Sequence, residues 1–227
     1  MESYSFKDVA FTYPEGEKEA LHKITFSVQQ GDFLILCGPS GCGKSTLLRH
    51  LKSCLTPHGR FSGEIRYKGK LLDQMSQREQ AQEIGYVLQS PENQVVTDKV
   101  WHELAFGLEQ ILKKSIIKTG LNLSGGEQQR IAVSRTHMSD KDILIFDEPA
   151  AALDPIAEME QFRNIKEKSV GKTSVLISHR VGFARMADRI FVMEKGKLAE
   201  VGTHEELMKK KGIYADFFAQ QAEWYQS

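Results

Sequence analysis

Between Gly38 and Thr46 the chain reads GPSGCGKST, three glycines followed by a lysine and two hydroxyls. Gly38, Gly41 and Gly43 carry no side chains to hold a ligand off the backbone, and each takes positive φ at little cost. With Pro39, Ser40 and Cys42 between them, they form a nest of backbone N–H groups suited to phosphate, at the start of a helix whose dipole favours the same charge. Lys44 would reach the outer phosphates as a point charge, Ser45 could offer its hydroxyl to Mg²⁺, and Thr46 would line the same turn. The spacing G-x-x-x-x-G-K-[ST] is matched in full.

Two further stretches carry chemistry. Ile143 to Phe146 deliver Asp147 and Glu148 to a strand end, where ligand sites of parallel sheets form. Adjacent strand residues point to opposite sides, so Asp147 can hold a Mg²⁺ shell while Glu148 orients or deprotonates an attacking water. Alone, such a pair is also an ordinary solvated strand end; the phosphate loop favours the chemical reading. In LNLSGGEQQR, Ser124 followed by Glu127 is a capping box, so Ser124, Gly125 and Gly126 open a second helix with exposed amides. The box alone fits a plain helix cap; the glycine pair favours a phosphate site.

The elements that must position these groups are legible around them. The apolar run FLILC reads as a buried strand, and Leu47, Leu48 and Leu51 recur at helical spacing behind the glycines. YSFKDVAFTY and LHKITFSVQQ, separated by PEGEK, predict an N-terminal antiparallel pair. IGYVLQ, DILIFDE, TSVLISH and RIFVMEKGKL read as buried parallel strands with helices between several of them. Pro91 to Met138 reads mostly helical, as a second lobe. Thr203 to Glu206 is a capping box that opens one or two C-terminal helices.

The composition, 41% hydrophobic and 26% charged over 227 residues, suits one large α/β domain or two closely joined lobes. With 30 acidic and 30 basic residues there is no net field to attract nucleic acid, and none is expected as a partner. The apolar runs are too short to cross a bilayer and MESYSFKD lacks a signal-peptide layout, so a cytoplasmic location is expected. Cys37, Cys42 and Cys54 fit no CxxC pair and read as small core or loop residues.

Together the motifs resemble those of the ATP-binding cassette (ABC) ATPases over nearly the whole chain. GPSGCGKST resembles the Walker A loop, ILIFDEP the Walker B strand, LSGGEQQR the signature and AALD the D-loop. His179 in LISHR resembles the switch histidine, Gln89 in YVLQSPENQ the Q-loop glutamine, and Tyr13 in FTYP the aromatic that stacks on adenine. The resemblance implies a P-loop NTPase fold: a mixed sheet with an N-terminal antiparallel part and a helical lobe. It implies one domain over residues 1–227, with a nucleotide core at about 1–90 and 139–227 and the lobe at about 91–138. It also implies a head-to-tail dimer, homo- or heteromeric, sandwiching ATP and Mg²⁺ between one subunit's Walker A and the other's Ser124, Gly125 and Gly126. Gln89 would sense Mg²⁺ and the attacking water, His179 would contact the γ-phosphate, and Asp154 would cross the dimer interface. The expected activity is ATP hydrolysis powering transport through integral membrane subunits, from the cytoplasmic face of the cell membrane. A soluble, non-transport cassette for iron–sulfur assembly or nucleic-acid work is the alternative.

The chain departs from the pattern in places. Ala150 stands where threonine is frequent, SRTHMSD replaces an alanine-rich helix, and 33 residues separate Gln89 from Leu123, fewer than usual, so the lobe reads as shortened. SPENQVVTDKVWHELAFGLE is similar to energy-coupling-factor importer ATPases, whereas the stretch from LISHR onward is more similar to exporter cassettes. A recombined chain would explain both.

Overall fold

The apolar side chains of the first strand keep period 2 through Tyr4 and Phe6, then resume one step out of phase at Val9 and Phe11, and all four are buried. A bulge resets the alternation: the register shifts between Phe6 and Val9, and Asp8 takes φ 51. This strand, β1 (Glu2–Thr12), pairs antiparallel with β2 (Leu21–Gln29), as the sequence predicts. The computed structural model describes residues 1–89, 141–150 and 153–224. The segment expected to form the helical lobe, about 91–138, with Ser124, Gly125 and Gly126, lies outside the described residues.

The other edge of β1 carries β4 (Arg60–Tyr67) and β5 (Lys70–Leu71), which completes a four-stranded sheet in the order β2-β1-β4-β5. The second sheet runs β10-β9-β3-β8-β7-β6. Its strands are β3 (Phe33–Cys37), β6 (Ile84–Val87), β7 (Ile143–Asp147), β8 (Thr173–Ile177), β9 (Arg189–Glu194) and β10 (Lys197–Gly202). The β9–β3, β3–β8, β8–β7 and β7–β6 pairs are all parallel. Every residue of β3, β7 and β8 is buried, because apolar clusters cover both faces of the sheet. This is the expected mixed α/β core with an antiparallel flank.

One strand differs from its expectation. RIFVMEKGKL is not a single parallel strand. It turns at Lys195-Gly196 and returns as β10, antiparallel to β9. Lys195 takes φ 48 and Gly196 φ 75, the pair of positive φ values that a two-residue hairpin of native twist requires. Lys68 (φ 47) and Gly69 (φ 81) do the same between β4 and β5.

Five helices among the described residues matter for the site. α1 (Lys44–Arg49) follows the phosphate loop and is shorter than the leucine spacing suggests, with Leu51 buried just beyond its end. α2 (Gln77–Glu83) leads into β6, and α3 (Pro155–Lys168) follows β7. The Thr203 capping box opens α4 (His204–Lys210), as expected. A separate helix α5 (Ile213–Trp224) follows, and both oxygens of the Glu200 carboxylate accept its first N–H groups, from Ile213 and Tyr214, at 3.0 Å each.

Candidate nucleotide site

The glycine loop leaves β3 at the carboxyl end of the sheet and enters α1 at Gly43, which takes φ 105. Two of its glycines are needed for a reason other than room for a ligand. A Cβ on Gly38 (φ 138) would stand 2.2 Å from the Met193 carbonyl oxygen, and one on Gly43 would stand 2.6 Å from that of Ala20. The loop is thus wedged between β9 and the start of β2. Only Gly41 faces open space, so the ligand-clearance argument from sequence holds there alone. Cys42 is buried, and its carbonyl accepts the Gly196 N–H at 3.0 Å, so the β9–β10 turn fixes the loop from behind. Pro39, Ser40 and Gly41 form the exposed rim.

Lys44 is 4% exposed, and its ammonium donates to the carbonyls of Gly38 and Pro39 at 2.9 Å each. The loop therefore holds a positive charge already desolvated at its centre. Ser45 donates its hydroxyl to Asp147 Oδ1 at 3.1 Å, which joins helix α1 to the end of β7. Asp147 is 1% exposed, and the buried Tyr86 hydroxyl is a second hydrogen-bonding neighbour of its carboxylate. Burial raises its carboxyl above the ordinary range against the Ser45 hydrogen bond, and the Glu148 charge adds to the rise. A hydroxyl beside a desolvated carboxylate is a donor set that suits a hard divalent cation whose remaining ligands are phosphate and water. No cluster of three or more His, Cys, Asp or Glu side chains suited to a metal exists among the described residues.

The raised Asp147 carboxyl has a measurable consequence. Folding disfavours its ionised form, so it subtracts stability once pH rises above the unfolded-state value and subtracts nothing in acid. Asp147→Asn, which keeps the Ser45 acceptor, is expected to raise the ligand-free Tm at neutral pH by roughly 2–4 °C, about 1 kcal/mol for a chain of this size. The gain should vanish near pH 3, and hydrolysis should be lost. Thermal melts across pH check this; a lower Tm at pH 7 overturns it.

Glu148 follows the strand end with φ 51, a left-handed conformation that costs a non-glycine residue about 1 kcal/mol or more. The turn, rather than strand alternation, sends it away from Asp147. Its Oε1 lies 2.5 Å from His179 Nε2, and its Oε2 accepts the Gln89 amide at 2.9 Å. Burial pushes this carboxyl up, but the His179 hydrogen bond and charge, the Gln89 amide and Lys44 outweigh it and hold it below its usual value. A base clamped and acidified in this way is weak until one of the two contacts is exchanged for a ligand. Glu148, His179, Arg180, Glu158 and Phe162 line a cleft of about 210 Å³ beside it.

Tyr13 places its ring edge-on to Phe11 at 4.9 Å and shares a hydrogen bond with the Thr46 hydroxyl at 3.0 Å, which leaves the ring 37% exposed beside the loop. Asp154 is drawn into a local task. Its Oδ1 accepts the N–H groups of Ile156 and Ala157 at 3.0 Å each and caps α3, and these bonds hold its carboxyl low. The remaining sequence-derived residues, Ser124, Gly125 and Gly126, are not among those described. Burial pushes the Cys37 thiol up to about 12, consistent with an inert core thiol.

The model for the ABC transporter family matches residues 21–151, more than half of the chain. The chain belongs to the ABC transporter family. This cassette is 34% identical, over 91% of its length and 57% of the relative's, to an energy-coupling factor transporter ATP-binding protein of Methanospirillum hungatei. It superposes on a bacterial Atm1-family ABC exporter with ATP bound at a TM-score of 0.80, with 29% identity over 96% of this chain and 41% of that one. It also superposes on a dimeric ATP-binding cassette in a post-hydrolysis state bound to ADP and Pi, at a TM-score of 0.74 and 25% identity, over 88% and 98% of the two chains. An energy-coupling factor ATP-binding protein and an Atm1-family exporter thus both match, each over nine tenths or more of this chain. The cassette spans about two fifths of the length of the first curated relatives it matches. It is an ATPase of this family, and no helix among its described residues is long and apolar enough to cross a membrane.

Two features of the site have no signal in the sequence. Arg180 pairs with Glu158 of α3 at 2.6 Å, and Gln221 of α5 bonds the backbone on either side of Arg180. Neither residue pattern has a spacing that announces it; the fold alone joins them.

Proposed function

We propose that the cassette binds and hydrolyses ATP as the motor of a membrane ABC transporter, working through ATP-dependent dimerisation at the cytoplasmic face. The observation that carries this reading is the convergence of Gln89 and His179 on Glu148, next to the Ser45–Asp147 pair and the Lys44 nest. In this reading Gly38 to Thr46 hold the phosphates, Tyr13 stacks on adenine, and Glu148 accepts the proton of the attacking water. Ser45 and Asp147, with Gln89 at the edge of the shell, would hold Mg²⁺, which when bound neutralises charge on the phosphates. Ser124, Gly125 and Gly126 would close over the nucleotide of a second cassette, the same chain or another, with Asp154 at the dimer boundary.

Ser124→Trp tests the sandwich. Hydrolysis is expected to fall at least tenfold while nucleotide binding to the isolated subunit stays within about twofold, because the bulk blocks only the partner's site. Equal loss of both would place Ser124 in its own subunit's site. Co-purification of the native protein with integral membrane subunits tests the transport reading; a native protein that carries none favours the soluble alternative.

A further inference from the structure

The loop that carries His179 is short and lies at the end of β8, yet it must aim a partly exposed imidazole at Glu148. Within the loop, Ser178 accepts the Arg180 N–H at 3.0 Å and donates to the Arg180 carbonyl at 3.1 Å, so its hydroxyl spans one residue. Outside support comes from two directions. The Arg180 guanidinium lies against Glu158 on α3, and the Gln221 side chain reaches in from α5.

The Gln221 contact has a reciprocal form. Its Oε1 accepts the Val181 N–H at 2.8 Å, and its Nε2 donates to the His179 carbonyl. One planar amide thus brackets Arg180 and satisfies the groups immediately before and after it. The helix that presents it is held at its other end by Glu200, from β10, and by Tyr214, which is fully buried and hydrogen-bonded to His204 at 2.8 Å. The C-terminal helix is therefore a strut between β10 and the His179 loop.

We propose that Gln221 is a positioning residue for ATP hydrolysis: by clamping the peptide units around Arg180, it holds His179 in contact with Glu148. The inference rests on the ATPase reading of the site. Only the primary amide fits the task, since a glutamate at this position could accept from Val181 but would face the His179 carbonyl with an oxygen. Gln221 touches no part of the phosphate loop among the described contacts, so nucleotide binding does not depend on it.

The test measures steady-state ATPase and nucleotide binding for wild type, Gln221→Glu, Gln221→Ala, His179→Ala and the double variant Gln221→Ala/His179→Ala. Misplacing a catalytic group by about 1 Å costs up to 10²-fold, so kcat for Gln221→Ala is expected to fall roughly 10- to 100-fold with nucleotide affinity within about twofold. Gln221→Glu, close in size and shape, should show a similar loss and no rescue. Adding Gln221→Ala to His179→Ala should cost nothing further, because a clamp acts only through the group it positions. An unchanged kcat in either Gln221 variant, or losses that multiply in the double variant, overturns the proposal. Should Gln221→Ala lower Tm sharply, the Gln221→Glu arm decides alone. An inactive wild-type chain would instead count against the ATPase reading itself, which separates the two failures.

Discussion

Lys44→Ala nearly abolishes ATP hydrolysis and weakens nucleotide binding by about one to two orders of magnitude, about 1.4–2.8 kcal/mol. The wild-type ammonium is almost fully buried and desolvated by the loop before any ligand arrives, held by two carbonyls rather than by a carboxylate. An entering phosphate gives this charge an opposite partner in surroundings of low dielectric, where charge-assisted hydrogen bonds are roughly twice as strong as neutral ones. Alanine removes the only positive side chain in a nest otherwise made of neutral amides, and it also leaves the Gly38 and Pro39 carbonyls without their donor. Each orphaned group costs about 1–3 kcal/mol if it stays dry, so part of the loss should appear as a lower Tm. Titration with a fluorescent nucleotide and a phosphate-release assay check this. Wild-type turnover would remove the phosphate-loop assignment altogether.

Glu148→Gln should do the opposite to binding. The amide keeps the shape of the carboxylate, can accept the Gln89 N–H with its oxygen, and can donate to a neutral His179 Nε2, so the closed arrangement of the three side chains survives. What it cannot do is take a proton. Loss of a general base costs about 10²- to 10⁴-fold in rate, so hydrolysis should stall with ATP bound. The expected result is an ATP-loaded dimer that persists through size exclusion with ATP and Mg²⁺. A monomer under those conditions, with nucleotide bound, would overturn the sandwich, and turnover near the wild-type rate would overturn the role of Glu148.

The contrast between these two variants follows from what the sequence makes legible. The phosphate loop and the Asp147–Glu148 pair are read from local spacing because the physics that requires them is local: a tight turn, a helix start, a strand end. The N-terminal pair was legible for the same reason, even through its bulge. For Gly38, Gly43 and Gln221 the deciding neighbours lie far away in the chain, whereas the hairpin turns carried a local signal that the sequence reading gave too little weight. Gly38 and Gly43 look like clearance for a ligand, yet Met193 and Ala20 are what they make room for. RIFVMEKGKL looks like one strand until the two-residue Lys-Gly turn is given weight, and YKGK carries the same signal between β4 and β5. Asp154, proposed for the dimer boundary, has a second task the sequence did not announce: its carboxylate accepts the first N–H groups of its own helix. Gln221 is silent in sequence because its task is defined by two backbone groups some 40 residues away.

The sheet order has a consequence for how the molecule comes into being. β3, which carries the phosphate loop, lies between β8 and β9, so both of its hydrogen-bonding neighbours follow it by well over a hundred residues. On the ribosome the run FLILC emerges well over a hundred residues before either neighbour and waits, with both edges unpaired, until those strands have been made. The loop waits longer still, because the Gly196 N–H that fixes Cys42 belongs to the last hairpin. Non-local pairing of this kind makes folding slow, and an unpaired apolar strand is the segment through which an incomplete chain aggregates. Nucleotide can therefore meet a shaped loop only after the last hairpin has closed, which makes ligand binding a late event in the life of each chain and a direct report that the central sheet is complete.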